Sequence, residues 1–392
     1  MSEPQYDVII VGAGLVGAAC ALALKGSGLR VALVEGRAPA LLPQDDSWDS
    51  RIYAISPASV DFLDALGIWP VLPAARVQPV EAMHIIGDDG VAALDFSAYE
   101  TGVAELAYIV ESRLMQAALW QALQQAPDIT LVCPAESTGL EFAGDHATLS
   151  LADGRTLSAR LIVGADGARS WVRNQARITA QDKDYHQSGV VANFAITQPH
   201  QGIARQWFRA DGILAYLPLP GNRMSIVWST HTDHAQALLA QEPEAFCAAV
   251  AQAGQMALGE LTLLTPPAAF PLHLIEVERL VAPRAALIGD AAHQVHPLAG
   301  QGVNLGFGDA RVLAETLKTR GPRECGDPLL LRRYERARKE EILAMRSVTD
   351  GLKELFGTSN AAVGAIRNLG LSLTNRTGWL KQRLIRHALG SV

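Results

Sequence analysis

The chain has 392 residues, of which 49% are hydrophobic and 19% are charged, a composition typical of a globular protein with an ample core. Its formal net charge of −7 argues against a general nucleic-acid binder. Four scattered cysteines form no CxxC motif, which disfavours a zinc ribbon or redox disulfide and predicts a reducing, cytoplasmic location. The acidic Glu3 and Asp7 precede the first apolar run, so no signal peptide is expected.

The first elements form a strand, a glycine turn, a helix and a second strand. Residues 6–11 are a β-branched run, an Ala/Leu-rich helix extends to about Lys25, and residues 29–34 are again apolar. Three glycines follow the first strand and an acidic residue follows the second: Gly12, Gly14, Gly17 and Glu35. They match the dinucleotide fingerprint, in which the glycines allow the turn, the pyrophosphate approach and the helix packing, and the acid holds ribose hydroxyls. The fingerprint alone does not distinguish FAD from NAD.

Two arginines follow this unit as candidate anion contacts. Arg51 comes after a long loop and precedes an amphipathic helix over residues 57–66; it is either a solvated arginine or a phosphate or flavin contact. Arg113 lies in the first turn of a predicted helix, where the helix dipole disfavours a cation. It therefore indicates either an external anion or a pair with the neighbouring Glu111.

The middle of the chain contains first a continuously apolar strand and then strands in which apolar and polar residues alternate. An apolar strand over residues 157–163 ends in a turn that contains Asp166 and Gly167. From Tyr185 to Thr230 the pattern alternates and is rich in aromatic residues, which predicts antiparallel strands of a substrate-binding sheet. Most of the aromatic rings are interpreted as core.

The most informative stretch is residues 289–309. A short apolar strand is predicted over residues 285–288, and Asp290 lies just past its end; a loop with Pro297 and Gly300 follows, and a helix starts near Val303. The helix amides point at a loop of little bulk, an arrangement suited to an anion or a polarised carbonyl. A metal site of Asp290, His293 and His296 is disfavoured, because Pro297 and the glycines make this segment a loop.

These patterns predict an α/β fold, with a Rossmann-like domain and a mixed or antiparallel substrate sheet. The Rossmann-like domain is discontinuous and comprises residues 1–75, 105–180 and 280–350. The substrate domain comprises residues 76–104 and 181–279. Residues 351–392 form a C-terminal helical segment, whose basic part over 369–389 either packs on the protein or docks on an anionic membrane.

The three glycine–acid turns at 12–17, 164–170 and 289–309 resemble those of the class A flavoprotein monooxygenases. Within that class, the stretches at 51–56, 164–173, 289–306 and 331–339 resemble the FAD-dependent hydroxylases of ubiquinone biosynthesis. The stretches at 26–32 and 382–390 are most similar to the octaprenylphenol-hydroxylase branch of that family. Tyr53 departs from the smaller residue that related chains often carry.

The resemblance implies a function and a set of contacts. It implies an NAD(P)H- and O₂-dependent monooxygenase that hydroxylates the ring of a polyprenylated phenol through a flavin C4a-hydroperoxide, with NAD(P)H as a transient co-substrate and without a protein nucleophile. Expected partners are the phenol, O₂ and other ubiquinone-biosynthesis proteins, with peripheral inner-membrane contact and oligomeric state left open. The implied FAD contacts are Gly12, Gly14, Gly17, Glu35, Arg51, Arg113, Asp166, Asp290, Gly302, Val303 and Asn304. The implied surroundings of the reacting flavin are Pro297, Gly300 and Gln301.

Other flavoprotein activities were weighed against this one. The missing CxxC disfavours a disulfide reductase, and the missing Trp-x-Trp pair disfavours a flavin halogenase. A flavin-dependent prenyl reductase and a non-catalytic FAD-binding scaffold remain the alternatives.

Overall fold

A computed structural model describes residues 3–87, 93–294 and 302–357, with side chains omitted at 101 and 344–357. The strands are β1 (Tyr6–Val11), β2 (Val31–Val34), β3 (Ile52–Ile55), β4 (Gln78–Val80), β5 (Ala82–Ile86), β6 (Ala93–Ser97), β7 (Ala107–Glu111), β8 (Ile129–Val132), β9 (Ser137–Phe142), β10 (Ala147–Leu151), β11 (Thr156–Gly164), β12 (Ala180–Ile196), β13 (Ile203–Arg209), β14 (Gly212–Leu219), β15 (Arg223–His231), β16 (Leu261–Leu263), β17 (Ala268–Val277), β18 (Val281–Ala282), β19 (Ala285–Leu287) and β20 (His293–Gln294).

Nine α-helices lie in the described part of the chain, together with short 3-10 turns. The helices are α1 (Leu15–Ala23), α2 (Pro57–Ala65), α3 (Ala98–Thr101), α4 (Ser112–Gln124), α5 (Trp171–Gln175), α6 (Thr232–Leu239), α7 (Pro243–Ala253), α8 (Gly302–Lys318) and α9 (Pro328–Gly357). Within the described ranges, no helix is both long enough and apolar enough to cross a membrane.

The first large sheet is the predicted Rossmann-like layer. Its parallel strands run in the order β19-β11-β1-β2-β8, and β9 and β10 extend it through β11. The strands β1 and β2 are buried on both faces because helices cover them, which explains their continuous apolar sequences. The order places the ends of β1, β2, β11 and β19 along one edge, where α/β sheets bind their ligands.

The second large sheet is the predicted antiparallel layer. It runs β20-β17-β12-β15-β14-β13-β5-β6, and β13 and β5 are its parallel pair. One face packs against α6 and α7 around Phe194, Trp207 and Trp228, which confirms that these rings are core. A small third sheet, β3-β7-β4, lies between the two large ones.

The two large sheets share no strand, although their strands alternate along the chain. The two-residue strand β20 follows the turn at Asp290 but pairs with β17 of the substrate sheet. Sequence patterns missed β9, α6 and the full 17-residue length of β12, because β12 begins with exposed polar residues that carry no apolar alternation. The predicted C-terminal helical segment extends beyond the described residues, and its basic part over 369–389 lies outside them.

Candidate functional site

The three glycine turns predicted from the sequence meet at the carboxyl edge of the parallel sheet. The amide of Ala165 donates to the carbonyl of Val11 at 2.8 Å, and the amide of Ile288 donates to the carbonyl of Gly164 at 3.0 Å. Gly12 has φ of +103°, and a Cβ there would lie 2.4 Å from the Ala165 oxygen. The turns after β1, β11 and β19 therefore form one surface that needs glycine at its tightest contact.

The glycines of the first turn differ in what surrounds them. A Cβ on Gly17 would lie 2.0 Å from the Gly12 oxygen, whereas a Cβ on Gly14 would meet nothing within 4 Å. Gly14 is also the N-cap of α1, and no side chain caps that helix end. The open space at Gly14 therefore faces free helix amides and fits a pyrophosphate, as the fingerprint predicts.

Glu35 lies at the end of β2 and supports this turn. Its carboxylate accepts hydrogen bonds from the amide of Ala13 at 2.7 Å and from the amide of Arg37 at 3.0 Å. The side-chain amide of Gln116 donates to the carbonyl of Ala13 at 2.8 Å. Sequence analysis missed Gln116, although it lies one helical turn after Arg113 on α4 and so on the same side of that helix.

Asp290 lies in the turn after β19, where Gly289 adopts φ of +60°. Its carboxylate is open to solvent on one side, yet the surrounding protein desolvates it and raises its pKa, against the opposing charges of His293 and Arg51. Burial also raises the pKa of the Tyr53 hydroxyl. The positive charge of Arg51 opposes this rise, and the negative charge of Asp290 adds to it. Arg51, Tyr53 and Asp290 therefore lie around the same space.

Close packing explains why the turn at Asp290 sits against α1. Val16 fills the space beside two glycines: a Cβ on Gly289 would lie 3.2 Å from a Val16 methyl, and one on Gly306 would lie 2.5 Å from another. The helices α1 and α8 thus approach each other through glycine, and both begin at this edge of the sheet. Gly302 is the first residue of α8, and Val303 is buried.

Arg113 is engaged inside the protein, which is the second of the two interpretations of its position. Its guanidinium donates to the buried carboxylate of Glu111 at 3.0 Å and to the carbonyl of Ser47. Arg76 pairs with the same carboxylate at 2.6 Å. Asp49 accepts a hydrogen bond from the Arg113 amide at 3.0 Å, so this cluster holds the loop before β3.

Two other predicted contacts also make bonds within the chain. Asp166 accepts from the Ser170 hydroxyl at 2.5 Å and from the Val172 amide at 3.0 Å, so it caps α5. The Asn304 side chain accepts from the Ser56 amide at 3.0 Å and donates to the Ala54 carbonyl at 2.9 Å. These side chains hold α5 and α8 in place at the edge of the site. Pro297, Gly300 and Gln301 lie outside the described residues.

A buried charge cluster beneath Asp290 was not found from the sequence. Asp309, in α8, accepts from the Gly289 amide at 2.9 Å, lies 2.7 Å from His293 Nε2 and accepts from Arg338 Nε at 2.7 Å. Burial alone would raise the pKa of Asp309, but His293 and Arg338 hold it below its usual range. Arg338 reaches Asp309 past Gly308, where a Cβ would lie 2.8 Å from the guanidinium.

The fold and the site define the class of protein. A parallel sheet with an open glycine cradle at its carboxyl edge, joined to a large antiparallel sheet, is the architecture of an FAD-dependent aromatic hydroxylase. Gly12, Gly14, Gly17 and Glu35 lie where they can hold the ADP half of FAD, and Asp290 lies where it can accept from the ribityl chain.

Comparisons with known proteins agree with this class. The FAD binding domain family matches residues 5–348. Ubiquinone hydroxylase UbiL of Rhodospirillum rubrum is 39% identical, with 100% of this chain and 91% of that protein covered. The 3-demethoxyubiquinol 3-hydroxylase of Escherichia coli is 36% identical, with 100% of both chains covered. Pseudomonas aeruginosa PqsL in complex with 2-aminobenzoylacetate has a TM-score of 0.77, with 93% of this chain and 99% of that chain covered at 22% identity.

The chain belongs to the FAD-dependent hydroxylases of ubiquinone biosynthesis. It is a flavoprotein monooxygenase with FAD as its cofactor.

Proposed function

We propose that this monooxygenase hydroxylates the aromatic ring of a polyprenylated phenol, with NAD(P)H as the reductant and O₂ as the oxygen source. Two relatives that are 39% and 36% identical over the whole chain have names that specify hydroxylation of ubiquinone or demethoxyubiquinol. Bound FAD, once reduced, supplies the activation of O₂. The chain itself has to bind the cofactor, receive an apolar substrate and keep water from the reacting ring.

The observation that carries this proposal is an apolar surface on the substrate sheet. Val191, Val227 and Ala215 are direct cross-strand neighbours on β12, β15 and β14, so their side chains share one face. Ile213 and Leu217 flank Ala215 at alternate positions and point the same way. We call these five residues the apolar sheet face; four of them, all except Val191, are only half-buried.

This face is turned away from α6 and α7 and toward the cofactor domain. Leu217 packs against the same apolar cluster as Trp48, Ile52 and Ala54, which belong to the loop and sheet beside the cofactor site. The Asn193 side chain, which lies on the same face two residues from Val191, donates to the Asp49 carbonyl at 2.8 Å. Half-exposed aliphatic side chains facing a cofactor site suit a phenol ring and the start of an isoprenoid tail.

The apolar sheet face accounts for binding without assigning acid–base chemistry to a protein side chain. Its polar neighbours Ser225 and Ser229, two residues before and after Val227 on the same face of β15, are almost fully buried. Apolar side chains that hold the ring against the cofactor would both position the substrate and exclude water. On this proposal, specificity rests on the shape and apolarity of this face.

Oxygen-transfer measurements test the proposal directly. We expect the purified, FAD-loaded protein to consume NAD(P)H and O₂ faster when a prenylated phenol is added, and the product to gain one oxygen atom by mass spectrometry. The ring position and tail length that give the highest kcat/KM then identify the substrate. Bound FAD without stimulated turnover, across several prenylphenols and with lipid present, would instead favour a prenyl reductase or a scaffold.

A pair of matched variants tests the apolar sheet face. Val227→Glu puts a charge into this face, and we expect at least a tenfold loss of kcat/KM for the prenylated phenol, since a buried carboxylate opposes apolar binding. Val71→Glu adds the same charge at a side chain that is 64% exposed and should leave kcat/KM unchanged. Both variants should keep bound FAD; equal kinetics of the two would place the substrate elsewhere.

A further inference from the structure

An outward-facing stripe of cations runs along the first half of α9. Each member on the helix lies three or four residues from another member, so all of them share one face. On α9 they are Arg332, Arg333, Arg336 and Lys339, all exposed. Arg333 donates to the Thr319 hydroxyl at 2.7 Å, which brings the exposed Lys318 at the end of α8 beside them. We call these five residues the basic face.

The basic face is not neutralised by the acids nearby. Glu324 is turned toward Arg160 at 2.9 Å and Arg284 at 2.7 Å, and Glu335 accepts from the Leu280 amide at 2.8 Å. Glu340 is exposed at the end of the stripe. Within the described ranges, none of the five cations forms an ion pair with a carboxylate. A local excess of positive charge on a chain of net charge −7 requires a separate explanation.

Two exposed leucines lie at the ends of the same helix face. Leu329 is 58% exposed and lies three residues before Arg332. Leu343 is 44% exposed and lies four residues after Lys339. The opposite face of α9, which contains Leu331, Tyr334 and Arg338, is buried against the protein. A helix that buries one side and presents cations flanked by leucine on the other matches an interfacial helix, in which leucines enter the lipid boundary and cations contact lipid phosphates.

The segment that follows α9 does not supply the missing negative charge. Residues 358–392 contain five Lys or Arg residues and neither Asp nor Glu. Docking of that segment on the basic face would bring like charges together, at a cost in Coulomb energy. An external anionic surface would offset the positive charge of the basic face and of residues 358–392 together.

We propose that the basic face is a docking surface for an anionic lipid bilayer. Each Lys or Arg near such a surface strengthens binding by roughly fivefold, and the attraction decays within a Debye length. The leucines favour a lipid surface over a nucleic acid, which offers them no apolar layer. This docking goes beyond the hydroxylation proposed above and does not depend on which phenol the enzyme accepts.

Vesicle co-sedimentation of the full-length, FAD-loaded protein tests this docking without any substrate. We expect wild-type protein to sediment with vesicles of phosphatidylglycerol and phosphatidylcholine, not with pure phosphatidylcholine, and to dissociate as NaCl rises from about 0.05 M to about 0.5 M. A variant with Arg332, Arg333, Arg336 and Lys339 all changed to Gln should bind at least tenfold more weakly. Gln retains helix propensity, so the helix should persist.

A charge-matched control separates the basic face from net charge. The control changes four exposed cations elsewhere to Gln: Lys25, Arg155, Lys183 and Arg279. We expect it to bind anionic vesicles like wild type. Equal binding of both variants, equal binding to neutral vesicles, or binding of labelled RNA through the basic face without vesicle binding would each overturn the proposal. Circular dichroism and FAD absorbance confirm that both variants are folded and loaded.

Discussion

The glycines at the cofactor site are needed for two different reasons, packing inside the chain and room for a ligand. Gly12 and Gly17 are required by contacts inside the chain, since a Cβ at either would overlap a backbone oxygen. Gly14 has no such neighbour and borders open space. The same fingerprint therefore contains glycines with different physical reasons, and substitution can distinguish them.

Gly14→Ala should fold normally but bind FAD poorly. The backbone of Gly14, at φ −63° and ψ −178°, is accessible to alanine, so we expect the free energy of unfolding of the apoprotein to stay within about 0.5 kcal/mol of wild type. FAD titration should show at least a tenfold higher Kd, because the methyl group occupies the space open to the pyrophosphate. Gly17→Ala should instead destabilise the apoprotein by several kcal/mol. Unchanged FAD affinity of Gly14→Ala would contradict this role.

Asp290 should show a trade-off between stability and cofactor affinity. A carboxyl whose folded-state pKa is raised contributes stability below its unfolded pKa of about 3.9, and that contribution is lost as pH rises through the folded pKa. At neutral pH the ionised group therefore weakens the apoprotein, and Asp290→Asn should raise or preserve its Tm.

On the proposal that Asp290 accepts hydrogen bonds from the ribityl chain, the same variant should lose FAD affinity, because an amide replaces the carboxylate. Calorimetric titration at pH 7.5 should give at least a tenfold higher Kd. The exposed Asp64→Asn serves as the control and should change neither Tm nor Kd. A lower apoprotein Tm for Asp290→Asn would contradict the pKa argument.

At the scale of elements, Asp309 joins α8, α9 and the turn after β19. Its oxygens connect the Gly289 amide, His293 and Arg338, and Arg338 also donates to the Leu305 carbonyl at 3.0 Å. The Tyr334 hydroxyl donates to the Leu287 carbonyl at 2.8 Å, one turn earlier on α9. The long helix α9 thus holds β19 and its turn from below, and through them it positions Asp290.

Asp309→Asn should destabilise the protein because it removes the buried carboxylate that pairs with Arg338 and leaves that buried guanidinium with the exposed Glu341 as its charge partner. We expect the free energy of unfolding to fall by about 3–5 kcal/mol in urea titrations at pH 7. The double change Asp309→Asn with Arg338→Met should recover part of that loss, since neither charge then remains.

The pH dependence has a definite sign. Because the folded-state pKa of Asp309 is lowered, its stabilisation is present above the unfolded pKa of about 3.9 and is lost as pH falls through the folded value. Acid unfolding of the single variant should therefore be less steep than that of wild type. A single variant as stable as wild type would show that Asp309 does not hold these elements together.

At the scale of the whole molecule, the loop before β3 links the two large domains. Two guanidinium groups lie over the Trp48 ring: that of Arg76 is 3.8 Å from the ring centroid, and that of Arg223 is 5.6 Å from it. Arg76 belongs to the cofactor side through Glu111, whereas Arg223 begins β15 of the substrate sheet. Asn193 adds a hydrogen bond from β12 to Asp49. This junction holds the substrate sheet against the loop before β3.

Local patterns in the sequence were sufficient for the cofactor half of the fold. Apolar runs followed by Gly and Asp specify buried parallel strands and their turns, because only glycine permits the contacts at Gly12 and Gly17. The same patterns predicted the antiparallel sheet and most helix starts. They also predict Glu35 and Asp290, each just after a strand, and Arg51, after a long loop, as cofactor contacts, and these assignments stay predictions.

Long-range contacts were decided only in the tertiary structure. Whether Arg113 faced an external anion or Glu111 depended on Arg76 and Ser47, which lie far away in sequence. The roles of Asp166 as a cap and of Asp309 as a buried partner of Arg338 depended on packing. The sequence by itself determined which residues form the cradle and its chemistry, because turns and strands are specified by neighbours along the chain. The partners of buried charges, and the face that each sheet presents, followed from which elements the fold brings together.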